Sequence, residues 1–233
     1  MDKYSKEKSL AAWEANAEFW DSQMGDLSNR FHREAVRPKV TELLKPKADD
    51  YILDIACGNG NYSAYLADLG AKVLAFDYSP KMIALAEKRQ AKHLDKISFC
   101  VADAADDVSL RALRPAKSFD KAVSNMAVMD IVDIAPLFKY VYTALKPGGI
   151  FVFATQHPCF VTLTDKYITP HAYFDIAIAG QPEKQCYYHR SIQDIFNLCF
   201  DCGFVIDGFF EECYGKKETP DIIIVRLCKL PKE

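Results

Sequence analysis

Asp54, Gly58 and Gly60 stand in the run Tyr51-Ile52-Leu53-Asp54-Ile55-Ala56-Cys57-Gly58-Asn59-Gly60. An acid followed by a Gly-x-Gly turn is a ligand-binding pattern. Apolar residues at 52, 53, 55 and 56 suit a strand buried on both faces, and the glycines let the backbone turn tightly against a ligand. The helix expected from about Asn61 to Leu69 would point its N-terminus at that ligand. Asp54 separates the ligand classes. A pyrophosphate held by loop amides and a helix dipole would meet like charge from an acid four residues before the first glycine. The third glycine of the dinucleotide fingerprint is also missing, with Ser63 in its place. A carboxylate there suits a cation that carries no phosphate, and leaves an NAD-dependent dehydrogenase as a distant alternative.

A second acid follows at a useful distance. Lys72-Val73-Leu74-Ala75-Phe76-Asp77 reads as another strand, and Asp77 lies 77 − 60 = 17 residues after Gly60, with one helix between them. An acid at the end of such a strand can accept hydrogen bonds from two ribose hydroxyls, or it can simply cap a turn. Ser79-Pro80 reads as an N-cap and first-turn proline, with Met82, Ile83, Leu85 and Ala86 forming the apolar face of the next helix. S-adenosyl-L-methionine, which joins a cationic sulfonium and amino group to a ribose and has no phosphate, is the cofactor reading that both acids suit.

These elements imply an α/β architecture. Strand Ile97 to Ala102, strand Phe119 to Asn125 and a helix from about Ile134 to Leu145 continue the alternation. The stop Lys146-Pro147-Gly148-Gly149 then precedes strand Ile150 to Ala154. Helix Ile192 to Cys202, strand Phe204 to Phe210 and strand Asp221 to Cys228 end the chain, the last two expected antiparallel.

The residues at 54–60, VLAFDYSPKMI at 73–83, VADAAD at 101–106 and LKPGGIFVFATQHP at 145–158 resemble the class I S-adenosylmethionine-dependent methyltransferases. The resemblance covers roughly residues 40 to 230, and its first two motifs are the specific ones. It implies a doubly wound, seven-stranded, mostly parallel Rossmann-like sheet with a reversed final hairpin. It also implies one bound S-adenosylmethionine and direct methyl transfer. The implied cofactor-binding residues are Asp54, Ala56, Gly58, Gly60, Asp77, Tyr78, Met82, Asp103, Ala104 and Asn125, with Asp103 reading the adenine amino group.

Composition sets further limits. The 233 residues, half of them hydrophobic, can bury one core without disulfides or metal. No apolar run approaches the roughly 18 residues of a membrane span, and the start MDKYSKEK is not followed by an apolar signal segment, so a cytoplasmic protein is expected. A net charge of −3 advertises no general attraction to nucleic acid. The eight cysteines are scattered, and Cys199-x-x-Cys202 lacks the second pair of ligands that a zinc site needs, so packing is the expected role and no metal is implied. The oligomeric state is not legible.

Two segments lie outside the core pattern. Residues 1–40 read as a helical N-terminal lid and residues 41–233 as the methyltransferase-like domain, with 156–190 as a substrate-side insertion. The lid carries Trp13, Phe19, Trp20, Met24 and Phe31. The insertion carries His157, Tyr167, His171, Tyr173, Phe174, Tyr187, Tyr188 and His189. Aromatic faces can stabilise a sulfonium and exclude water, or pack as ordinary core. His157, just past the fifth strand at the carboxyl edge of the sheet, is the first candidate catalytic base and His189 the second. Pro158-Cys159 follows the fifth strand rather than the fourth, which argues against a cysteine nucleophile. A small-molecule acceptor with an oxygen, nitrogen or sulfur nucleophile is the leading expectation. RNA or protein methylation and non-catalytic S-adenosylmethionine binding are the alternatives.

Overall fold

In the computed structural model, residues 3–161 and 164–231 are described, with side chains from residue 6 onward. Residues 1 and 2 of the expected lid, 162 and 163 of the expected insertion, and 232 and 233 lie outside the described residues. Strands β1 (Tyr51–Ile55), β2 (Lys72–Asp77), β3 (Ile97–Val101), β4 (Phe119–Asn125) and β5 (Leu145–Gln156) are parallel, β9 (Ile222–Cys228) runs antiparallel to β5, and β8 (Val205–Glu212) runs antiparallel to β9. Their order is β3-β2-β1-β4-β5-β9-β8. The order reverses at β1, which opens a crevice at the carboxyl ends of β1, β2 and β4, where open α/β sheets bind ligands.

Helices flank both faces: α3 (Asn61–Asp68), α4 (Pro80–Arg89), α5 (Asp107–Ala112), α6 (Ala135–Ala144) and α7 (Ile192–Asp201). Local chemistry fixes their ends. Ser79 Oγ accepts from the Met82 amide at 3.1 Å with Pro80 in the first turn, and Ser191 with Asp194 forms a reciprocal capping box on α7. On one face Phe119, Phe138, Phe151 and Phe153 are fully buried with Leu137, Val141 and Leu227. The other face buries Leu44, Ile52, Leu66, Val123 and Ile224. Each such side chain stabilises the fold by about 1.5–3 kcal/mol.

Two expectations change. The Lys146–Gly149 stretch is not a stop ahead of the strand, because Leu145 already pairs with Phe119. The next pairing joins Lys121 to Ile150, so residues 146–149 bulge from a strand that has begun. The boundary at residue 40 falls inside helix α2 (Arg37–Leu44), whose Val40, Leu43 and Leu44 are buried against the sheet. The segment lying over the crevice is therefore α1 (Lys3–Met24), followed by a π-helical turn at His32–Val36 that runs into α2. Within 156–190 the chain forms a separate hairpin, β6 (His171–Asp175) with β7 (Gln185–His189).

Candidate functional site

The crevice at the switch point is a cavity of about 400 Å³. β1 delivers Asp54 to its floor, buried, with its Oδ2 accepting from Ser63 Oγ at 2.5 Å. Burial pushes the Asp54 carboxyl up to about 7, with nearby Asp77 adding to the rise. A cation in the cavity would relieve that cost. Asp77 ends β2, and its two oxygens accept from the Gly58 and Ser79 amides, each at 3.0 Å. Burial raises it to about 6.

The two glycines divide the work. Gly58 has φ +55°, lines the cavity, and a Cβ built on it would meet nothing within 4 Å, so the missing side chain leaves room for a ligand. Gly60 is absent from the cavity wall. With φ +74° it begins α3, and a Cβ there would lie 2.8 Å from Phe99 Cζ. Its role is the turn and close packing rather than ligand contact.

The other residues expected at the cofactor, Ala56, Tyr78, Met82, Asp103, Ala104 and Asn125, line the cavity together with Asp54, Gly58 and Asp77. Asp103 is ion-paired with Lys6 of α1 and accepts from the Ala105 amide at 2.8 Å, so an adenine amino group would share or displace Lys6. Asn125 Oδ1 is buried without a hydrogen-bond partner among the described residues. These groups fit S-adenosylmethionine: carboxylates for its cationic end, an acid at the β2 end for ribose, and open space above Gly58.

Neither candidate histidine reaches the cavity wall. Successive strand residues point to opposite faces, so Gln156 enters the cavity and His157 turns away from it. The buried His157 ring bonds Glu211 through Nε2 at 2.7 Å and accepts the Cys159 amide on Nδ1 at 3.1 Å, which occupies both nitrogens. His189 Nε2 lies 2.8 Å from the Tyr167 carbonyl, and the ring packs on Tyr167 and His171. The cavity wall is built instead from some of the aromatics already picked out in the lid and insertion, and from polar residues that sequence patterns did not flag.

Among those, Trp13 and Trp20 pack at 5.2 Å and line the cavity from α1, and Trp20 Nε1 is buried without a partner. Tyr187 and Tyr188 line it from β7. Asp130, five residues past β4, and Gln185 at the start of β7 also belong to the wall. Arg37 lines it too, bonded to Ser28 Oγ at 2.8 Å and placed over Tyr65. Burial depresses its pKa, and no described carboxylate pairs with it. For Asp130, Gln185 and Arg37 the only advance signal was charge or polarity beside aromatic-rich segments.

Residues 53–153 match the family described as a methyltransferase domain. The chain also carries the fold, the acids and the glycine turn. Residues 53–153 are a class I S-adenosylmethionine-dependent methyltransferase domain. This methyltransferase domain is 34% identical over 105 residues to the malonyl-[acyl-carrier protein] O-methyltransferase of Salmonella typhimurium, a match covering 45% of this chain and 38% of that protein. It is 34% identical over 116 residues to the demethylmenaquinone methyltransferase of Clavibacter sepedonicus, covering 50% and 45%. The chain thus spans less than half the length of these curated relatives. The crystal structure of an S-adenosylmethionine-dependent methyltransferase from Mesorhizobium loti superposes with a TM-score of 0.63 at 27% identity, covering 82% of this chain and 96% of that one.

Proposed function

We propose that this protein transfers the methyl group of S-adenosylmethionine to an oxygen, nitrogen or sulfur nucleophile of a small molecule by direct displacement. One observation carries the reading. A single cavity joins Asp54, Gly58 and Asp77 to a wall of Trp13, Trp20, Tyr187 and Tyr188, so cofactor-side acids and aromatic walls share one space. The bound cofactor would supply an activated methyl group. Asp54 would face the cationic end, Asp77 the ribose and Asp103 the adenine. α1 and β7 would close over the reacting atoms, aligning the partners and excluding water. Orientation of that kind can contribute about 7–11 kcal/mol.

The names of the relatives span demethylmenaquinone, malonyl-[acyl-carrier protein] and 23S rRNA, so the case for a small acceptor over RNA rests on the charge of the wall. Asp21, Asp54, Asp77, Asp103, Asp130 and Asp221 line it, against Lys6, Arg37 and His32. A polyanion would meet repulsion there. No described helix is long and apolar enough to cross a membrane, and the described cysteines are free, which supports a cytoplasmic setting.

Calorimetry with S-adenosylmethionine, S-adenosylhomocysteine and NAD tests the cofactor side, and transfer of labelled methyl tests the activity. Binding of the first two without NAD is expected. Binding of NAD alone would overturn the reading.

A further inference from the structure

Six aspartates line the cavity, and five have partners. Asp21 bonds Arg89 and Asn59, Asp54 bonds Ser63, and Asp77 takes two backbone amides. Asp103 pairs with Lys6, and Asp221 holds Lys217 and the Tyr214 amide. Asp130 differs. Its carboxylate takes no hydrogen bond from a described residue, and its Oδ1 is sealed from water. Burial and the charge of Asp77 hold its carboxyl well above the usual range, so it keeps its proton until a cation or a hydrogen-bond donor beside it favours the ionised form. An unpaired polar group in such a place costs on the order of 1–3 kcal/mol, so it makes a poor structural element. Groups of this kind gather at functional sites.

A complementary group lines the same cavity. Segment Val128–Asp130 packs on β7. There Tyr187 OH donates to Gln185 Oε1 at 2.7 Å, while Gln185 Nε2 is buried with no hydrogen-bond partner among the described residues. The wall therefore offers an acceptor at Asp130 and a donor at Gln185, neither engaged. A hydroxyl satisfies both, since its O–H can donate to Asp130 while its oxygen accepts from Gln185. A carboxylate would be repelled by Asp130. An ammonium would satisfy Asp130 but leave Gln185 Nε2 unmatched.

We infer that Asp130 and Gln185 bind the hydroxyl of an apolar alcohol or phenol as the methyl acceptor, and that Asp130 takes its proton during transfer. This rests on the methyltransferase reading and names the acceptor of that same site. As the oxygen lone pair forms the new bond to the methyl carbon, the carbon–sulfur bond breaks with its electron pair going to sulfur. With the cofactor's positive charge in the cavity keeping Asp130 ionised, the O–H proton passes to its carboxylate. The products are a methyl ether, S-adenosylhomocysteine and a protonated Asp130. The other titratable groups facing Asp130 are Asp77 and Tyr78 at the end of β2, Tyr173 on β6, and Cys186 and Tyr187 on β7. Arg190 donates to the Val128 and Ile131 carbonyls of the segment that carries Asp130.

The test incubates wild type, Asp130→Asn and Gln185→Leu with methyl-labelled S-adenosylmethionine and three acceptor pools: phenols and alcohols, primary amines, and carboxylic acids. Calorimetry with S-adenosylhomocysteine runs in parallel. Wild type is expected to label the hydroxyl pool. Asp130→Asn should keep S-adenosylhomocysteine affinity within about twofold and lose about 10²- to 10⁴-fold in kcat near neutral pH, with activity returning as the pH nears the acceptor's own pKa. Gln185→Leu should chiefly raise KM. Should Asp130→Asn not fold, Asp130→Glu is read by the same split between affinity and kcat. Label in the amine or acid pool alone, label in no pool by a wild type that binds S-adenosylhomocysteine, or an unchanged kcat in the variant would each overturn the inference. A wild type that does not bind S-adenosylhomocysteine would instead defeat the methyltransferase reading.

Discussion

Gly58 and Gly60 sit two residues apart in one turn, yet substituting them should break different things. A side chain at 58 would project into open cavity, whereas one at 60 would strike the Phe99 ring. Gly58→Val is thus expected to abolish S-adenosylhomocysteine binding with a stability loss of about 1–2 kcal/mol from its left-handed backbone, and Gly60→Ala to cost about 1–3 kcal/mol through overpacking as well. Melting curves beside calorimetry check the pair, and equal affinity in Gly58→Val would reject the loop assignment. Arg37 gives a second test at this scale. It is a guanidinium in the wall with no described carboxylate beside it, and Tyr62 feels both its charge and that of Asp54. The two ends of an amino-acid group would suit that couple, the ammonium at Asp54 and the carboxylate at Arg37. Arg37→Met should weaken S-adenosylhomocysteine about tenfold or more and leave 5′-methylthioadenosine, which lacks the amino-acid group, within twofold. An equal loss for both ligands would assign Arg37 to packing. Asp54 and Asp77 were legible because a strand end and a turn next to it fix their position locally. Arg37, Asp130 and Gln185 were not, because α2, the segment after β4 and β7 meet only in the folded chain. His157 was misjudged because proximity to a strand end does not say which face the next side chain takes.

At the scale of elements, strands and helices followed from apolar runs and caps, since each is decided within a few residues. The β6–β7 hairpin was hidden, because its pairing partners lie on either side of an irregular loop and its aromatics carry no clean alternation. The placement of α1 was hidden for another reason: a helical pattern fixes a face without naming what covers it. The structure supplies the fastening. Asn16, fully buried, donates through Nδ2 to the Glu183 carbonyl and accepts the Glu183 amide through Oδ1, both at 2.8 Å. Arg89 of α4 holds Asp21 at 2.6 Å, and Asn59 of the glycine loop donates to the same carboxylate. α1 is thereby tied to the insertion at its middle and to the cofactor loop at its end. Asn16→Ala would strand two backbone groups of Glu183, costing about 1–3 kcal/mol. If α1 gates the cavity, the variant should also release S-adenosylhomocysteine several-fold faster in stopped-flow displacement, since opening is cheaper. A melting point that falls without any change in dissociation rate would make α1 a fixed wall.

For the whole molecule, a buried acidic cavity makes stability depend on pH and on the ligand's charge together. Asp54 and Asp77 are raised by burial to about 7 and about 6 from 3.8, so the folded protein holds more protons than the unfolded chain above pH 4. Their contribution is fully present below the unfolded value and is lost as pH rises through 6 and 7. His32 acts in the opposite sense. Burial lowers it to about 4 from 6.5, so its contribution is present above 6.5 and lost as pH falls toward 4. The two acids together outweigh the one histidine, and between pH 6.5 and 7.5 the acids act without it. Asp54→Asn isolates the larger acid. Near pH 5 the protonated carboxyl and the amide are both neutral, so wild type and variant should melt close together. Near pH 8 the buried charge remains only in wild type, and Asp54→Asn should be the more stable, by on the order of 2–4 kcal/mol. Saturating S-adenosylmethionine should reverse the ranking at pH 8, because its cationic groups offset the charge in wild type and find no counter-charge in the variant. If the ligand stabilises wild type and Asp54→Asn alike at pH 8, Asp54 does not face a cation. The glycine loop would then hold its ligand through shape alone.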